Sequence, residues 1–173
     1  MPSTLSRPAS DEYAPYYDTY IRNIPDPDVV PLLADQMRDT AASIRSFSDS
    51  TASRTNEPGK WSVKEILGHL IDCERIFAYR ALRFGRNDLT PLPGFDQDPY
   101  MEAAAFNVRP LADLVSEYEL VRQSTLALCR SLSSEACTRR GLADGKSITV
   151  RALFWAIAAH ERHHMKILRS RYM

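Results

Sequence analysis

The stretch TVRALFWAIAAHERHHMKI, residues 149–167, decides how this chain folds. Its apolar residues Val150, Leu153 and Ile157 recur at spacings of three and four. Each residue turns a helix by about 100°, so these side chains share one face. His160, His164 and Ile167 continue that face. An apolar helical stripe faces a core, so the two imidazoles point inward, side by side and one turn apart. The helix starts near Thr149.

Working outward, three earlier stretches carry the same spacing. The second predicted helix begins at Ser62, where Ser62-Val63-Lys64-Glu65 forms a capping box. Its stripe runs Ile66, His69, Cys73, Ile76, Arg80, Phe84. The third opens with Pro110 and runs Leu111, Leu114, Tyr118, Val121, Thr125, Leu128, Leu132. The first runs Leu33, Met37, Ala41, Ile44, Phe47, with Pro31 in the first turn, where a missing N–H costs nothing. Each spans about 15 to 25 residues, the length of a bundle helix. No convincing strand pattern and no internal repeat appear, and the link near Gly141–Ser147 reads as a short polar connection. The architecture predicted is all-α.

Two segments lie outside the stripes. The connection at about residues 86–108 holds Pro91, Pro93, Gly94 and Pro99, and is too long for a simple turn between adjacent helices. It is expected to cross over or cover something, with a short helix over Tyr100–Phe106. Residues 1–27 carry five prolines and four tyrosines and read as an arm packed on the bundle, with the first ten or so residues loose. Residues 28–173 then form one bundle domain.

Composition narrows the function classes. Apolar residues make up 44% and charged residues 25%, as in an ordinary globular protein. The 22 basic and 22 acidic residues balance, so there is no broad footprint for nucleic acid and no polybasic membrane signal. No apolar run reaches the roughly 20 residues of a membrane span. The N-terminus lacks the basic start and apolar stretch of a signal peptide. Cys73, Cys129 and Cys137 are odd in number and form no CxxC pair, which points to a reducing cytoplasm.

Three of the four histidines stand where a bundle normally places leucine. A histidine in apolar surroundings must satisfy its ring nitrogens or lose about 1–3 kcal/mol. For one such residue a hydrogen-bonded core histidine is the ordinary reading. His69, His160 and His164 on two inward stripes favour a metal instead. Three nitrogen ligands with an open position are the arrangement of a catalytic zinc site, not a closed structural one. His163 sits beside the stripe and is left out.

Residues 160–164 also match H-E-x-x-H, the zinc-protease motif in which the glutamate is general base. Only nine residues follow His164, too few for a further helix bearing a third ligand, so His69 upstream must serve. Glu161 is a candidate general base; otherwise it is an ordinary solvent-facing glutamate. Cys73 could join a soft-metal site, but reads better as a buried structural thiol. Asp72 could orient the His69 ring, or equally pair with Arg75 or Arg80 at the surface. Trp61 and Trp155 read as packing anchors.

The run Trp61-Ser62-Val63-Lys64-Glu65-Ile66-Leu67-Gly68-His69-Leu70-Ile71-Asp72, followed by Arg75 and Arg80, resembles the second helix of the DinB-like superfamily. The match is closest to its YfiT-like branch of metal-dependent hydrolases. Ala158-Ala159-His160-Glu161-Arg162-His163-His164 is similar to that superfamily's terminal H-x-x-H-H signature, and the arm Glu12-Tyr13-Ala14-Pro15-Tyr16-Tyr17 looks like the same branch. The resemblance covers roughly residues 12–168. It implies an antiparallel four-helix bundle connected up-down-down-up, commonly a homodimer. It also implies one divalent metal on His69, His160 and His164, zinc or nickel foremost; the ligand set itself leaves iron, manganese or cobalt admissible.

The function so expected is an enzyme acting on a small molecule with the metal as Lewis acid. One form is a hydrolase using metal-activated water. Another, implied by thiol transferases of the superfamily, activates a low-molecular-weight thiol for attack on an electrophile in stress or detoxification. A non-catalytic metal-binding protein, or a bundle whose histidines merely hydrogen-bond, are the rivals.

Overall fold

A computed structural model describes residues 5–173; residues 1–4 of the expected arm, Pro2 among them, lie outside it. Four long helices form the body: α1 (Val29–Arg45), α2 (Val63–Gly85), α3 (Leu111–Ser131) and α4 (Val150–Tyr172). Each start has an identifiable cap. Asp28 accepts from the Val30 N–H at 3.0 Å, and Thr149 accepts from the Ala152 N–H at 3.2 Å. The capping box of α2 closes both ways, with Ser62 Oγ accepting from the Glu65 N–H and Glu65 from the Ser62 N–H at 2.7 Å. At α3, where Pro110 offers no side-chain cap, the distant Asp49 accepts from the Leu111 N–H at 2.7 Å.

Hydrogen bonds across the bundle give its topology. Gln36 and Thr40 of α1 reach Ala158 and Glu161 of α4, so these helices run parallel. Leu33 and Gln36 accept from Arg122 and Tyr118 of α3, an antiparallel pairing. Ser62 and Glu74 meet Asn107 and Arg122, so α2 and α3 are parallel. Trp61 and His69 meet Tyr172 and His160, so α2 and α4 are antiparallel. The directions are up, down, down, up. Two parallel neighbours in succession require the long connection between α2 and α3 to return along the bundle.

That connection contains the helix Gln97–Ala104, starting earlier than expected because Asp96 accepts from the Asp98 N–H. It ends where Ala105 turns left-handed at φ 48°, and the buried Phe106 then packs on α2. A Cβ at Gly68 would lie 2.5 Å from that ring, so glycine is needed there.

The link before α4 corrects the strand-free expectation. It is a hairpin, β1 (Arg140–Ala143) pairing antiparallel with β2 (Lys146–Thr149). Asp144 and Gly145 both have positive φ, as a two-residue hairpin turn demands. Leu92 bonds to Leu142 and Asp144, which ties the α2–α3 crossover to the hairpin. The expected looseness of the first ten residues is also corrected from Leu5 onward. Leu5 is buried, its carbonyl accepts from Trp155 Nε1 at 3.1 Å, and its N–H donates to Asp28. Glu12 is buried against Arg151 and Thr149 at the start of α4.

The apolar core falls into two clusters. One holds Val29, Leu33, Phe77, Phe84, Leu126 and Leu153–Ala159; the other holds Ala41, Ile44, Val63, Ile66, Leu67, Leu111, Leu114, Val115, Tyr118, Met165 and Leu168. Along every helix the division falls near the same level, and buried polar residues occupy that waist.

Candidate metal centre

α2 and α4 bring His69, His160 and His164 together at the waist, with ligand nitrogens all within 4.8 Å of one another. His69 is buried, and the other two are partly exposed to a cavity. His69 Nε2 and His160 Nε2 lie 3.1 Å apart. The ring centres of His160 and His164 are 4.5 Å apart, as residues one turn apart on one face must be. Burial pulls the His69 pKa down to about 4. Burial, then the His69 and His163 charges, pulls His164 to about 3, and burial lowers His160 strongly. All three rings are therefore neutral near pH 7, the state in which imidazole offers a lone pair.

Aromatic rings enclose the cluster. Trp61 lies 4.7 Å from His69 and nearly parallel to His164 at 6.1 Å, so it flanks the site and is more than a packing anchor. Phe77 stands 6.2 Å from His160. His163 turns to the arm, its ring 5.0 Å from Tyr20, and is outside the ligand group. Cys73 Sγ is 3.6 Å from His69 Nε2, but burial pushes the thiol up to about 12, and it stays protonated. Trp155 is fully buried, as expected of an anchor.

Both sequence-based readings of Glu161 are corrected. It faces neither the cavity nor solvent, being 2% exposed. One residue after His160, it is rotated about 100° to the bundle's other interior face. There it accepts from Thr40 Oγ1 at 2.6 Å, Tyr118 Oη at 2.8 Å and Arg122 Nη2 at 2.5 Å. Arg122 also grips Glu74 through two bonds of 2.8 Å. Burial opposes the guanidinium charge, but Glu161 and Glu74 hold its pKa well above the ordinary value. This network escapes a stripe-based reading. Its one local signal is Arg122 four residues after the inward Tyr118. Asp72 makes no hydrogen bond to His69 and no ion pair with Arg75 or Arg80 among the described residues; Arg75 bonds Glu117 instead.

The donor set fits a divalent ion. Three neutral nitrogens converge within 4.8 Å of one another, the lone-pair donors that a divalent ion takes. The cavity beside the cluster has a volume of about 470 Å³ and is walled by α2, α4, the hairpin, the crossover and the arm tyrosines Tyr16, Tyr17 and Tyr20. None of the described helices is long and apolar enough to cross a membrane.

Among known proteins, the chain is 23% identical over 125 residues to a protein of Oceanobacillus iheyensis named a putative metal-dependent hydrolase, covering 71% of each. Its fold matches that of YfiT from Bacillus subtilis, described as a probable metal-dependent hydrolase with an unusual four-helix bundle topology. The TM-score is 0.65 at 18% identity, over 94% of this chain and 91% of that one. The sequence profile of one family runs over residues 32–168, from α1 through the histidine pair of α4. That match takes in all of α2 and α3 and most of α1 and α4, and the chain belongs to the DinB superfamily.

Proposed function

We propose that His69, His160 and His164 hold one divalent metal ion, zinc or nickel foremost, and that the protein is a metal-dependent hydrolase of a small molecule. The observation that carries this reading is the convergence of three neutral imidazoles within 4.8 Å on the wall of a cavity. When bound, such an ion supplies Lewis acidity that makes water nucleophilic at neutral pH. The chain's own residues orient the ligands and enclose the substrate. Trp61 and Phe77 limit the rotation of the imidazoles. The Arg122 network keeps Glu161 out of the cavity, so it does not act as base. The relatives' names agree with hydrolysis, and we extend the reading to a cytoplasmic homodimer.

The withdrawal of Glu161 from the cavity favours a second reading, transfer of a low-molecular-weight thiol. That reaction needs no carboxylate base, and Cys73, held as a thiol, would not compete with the incoming one. One experiment serves both. Untagged protein should retain about one equivalent of metal, and His69→Ala and His160→Ala should each lower affinity by about tenfold or more, while His163→Ala should not. Equal metal content in all three variants would sink the assignment. Metal-loaded protein is then offered ester and amide substrates, and separately a thiol with an electrophile. Metal-dependent turnover in one set chooses between the readings.

A further inference from the structure

Two arginines are buried among the described residues, Arg122 and Arg80. Arg122 is matched by Glu74 and Glu161. Arg80 is 6% exposed, has no carboxylate within ion-pair distance among the described residues, and lines the histidine cavity. Its one hydrogen bond among the described residues runs from Nη2 to the Pro93 carbonyl at 2.9 Å, which leaves the remaining guanidinium donors without a partner there. Asp144 in the same wall is engaged by Lys146 at 2.7 Å. The Asp144 charge reaches Arg80 only from beyond ion-pair distance, and a buried guanidinium with no carboxylate in contact is costly, a cost relieved when a ligand brings the anion.

The placement relative to the histidines is set by helix geometry. Arg80 follows His69 by eleven residues, close to three full turns, so both project from the same face of α2 with about 16 Å of rise between them. Phe77 fills the interval. Its ring centre is 6.2 Å from that of His160 and 5.9 Å from Arg80 Cζ. Phe95, from the crossover, lies 6.0 Å from Arg80 Cζ. The cavity thus has a histidine end, an apolar middle and a cationic end.

We propose that Arg80 anchors a carboxylate of the substrate, which is a small organic acid carrying its reacting group at the other end of an apolar segment. The open edge of a guanidinium matches the two oxygens of a carboxylate. Arg80 is the one buried cation among the described residues lining this cavity, and its single charge matches a carboxylate monoanion better than a phosphate dianion. The inference rests on the metal reading of the three histidines, since it assigns the far end of the same cavity.

The test uses short aliphatic hydroxamates of graded length, which bind divalent metals at one end and finish in a carboxylate, a carboxamide or a methyl group. Each is titrated calorimetrically into full-length zinc-loaded protein, zinc-depleted protein and zinc-loaded Arg80→Gln. At the fitting length the carboxylate compound should bind about tenfold or more tighter than its carboxamide and methyl partners. Arg80→Gln should reduce that advantage to below about twofold while leaving the methyl compound's affinity unchanged. The comparison in unaltered protein stands even if the variant fails to fold. Metal-dependent binding with no carboxylate advantage at any length overturns the anchor and leaves the metal reading intact. An advantage that survives in folded Arg80→Gln overturns the assignment to this arginine. If no hydroxamate binds in a zinc-dependent manner, the metal reading fails and the anchor with it.

Discussion

At the scale of single residues, the adjacent pair His160 and Glu161 shows how one helix serves two interiors. Successive side chains diverge by about 100°, so the imidazole turns to the cavity and the carboxylate to the opposite buried face. There Glu161 neutralises part of a buried ion network whose members come from all four helices: Thr40, Glu74, Tyr118, Arg122. Removing Glu161 leaves Arg122 paired with Glu74 but strands the buried Thr40 and Tyr118 hydroxyls and one Arg122 N–H. Glu161→Ala should therefore destabilise the protein by about 3 kcal/mol or more, read by urea unfolding of the metal-free form. A loss below about 1 kcal/mol would mean that the network relaxes into solvent. Because Glu161 does not face the cavity, Glu161→Gln should leave metal stoichiometry unchanged. A metal ligand would behave otherwise.

At the scale of elements, the position of His69 depends on where α2 starts and how closely the crossover lies on it. Ser62→Ala opens the capping box and should cost about 1 kcal/mol, with the helix otherwise retained. The exposed Ser116 on α3 gives a comparison, since Ser116→Ala removes no cap and should change stability by less than about 0.5 kcal/mol. Gly68→Ala acts through the partner element instead. Its methyl would meet the Phe106 ring at 2.5 Å, and the ring must move off the helix next to His69. We expect a drop in melting temperature larger than that of Ser62→Ala. Gly68→Ala with Phe106→Ala should recover part of it. No recovery would place the strain elsewhere.

At the scale of the whole molecule, the cluster links stability to pH. An unfolded histidine titrates near 6.5, whereas folding pulls His69 to about 4 and His164 to about 3. Between those values the unfolded chain binds more protons than the folded one, so stability increases with pH across the window. Read downward, metal-free protein loses stability as the pH falls from about 6.5 toward 4, and the loss ends once the folded rings protonate too. Urea midpoints should therefore be lower at about pH 5 than at about pH 7, and His69→Gln should shrink the difference. A difference unchanged by that substitution would contradict the burial of this ring. The global connectivity matters as well. The arm, the crossover and the hairpin all converge on one cavity, although they are far apart in the chain.

Much of this was legible without coordinates, and the reason is locality. Ser62 with Glu65 and the three–four apolar spacing involve residues within a turn or two, so the helices and the inward direction of His69, His160 and His164 follow from the chain itself. Family resemblance supplied the connection order, which the cross-bundle hydrogen bonds display. The hairpin at Asp144-Gly145 carried a turn signal, but its strands are short and their anchoring to Leu92 is non-local. What only the tertiary structure decided is which partner each buried polar group meets. Whether Glu161 faces solvent, a metal or an arginine depends on α1, α2 and α3, none of which its neighbours in sequence reveal. The same holds for Arg80: its stripe makes it inward-facing, and only the packed crossover and hairpin set it at the end of a cavity with no carboxylate in contact among the described residues.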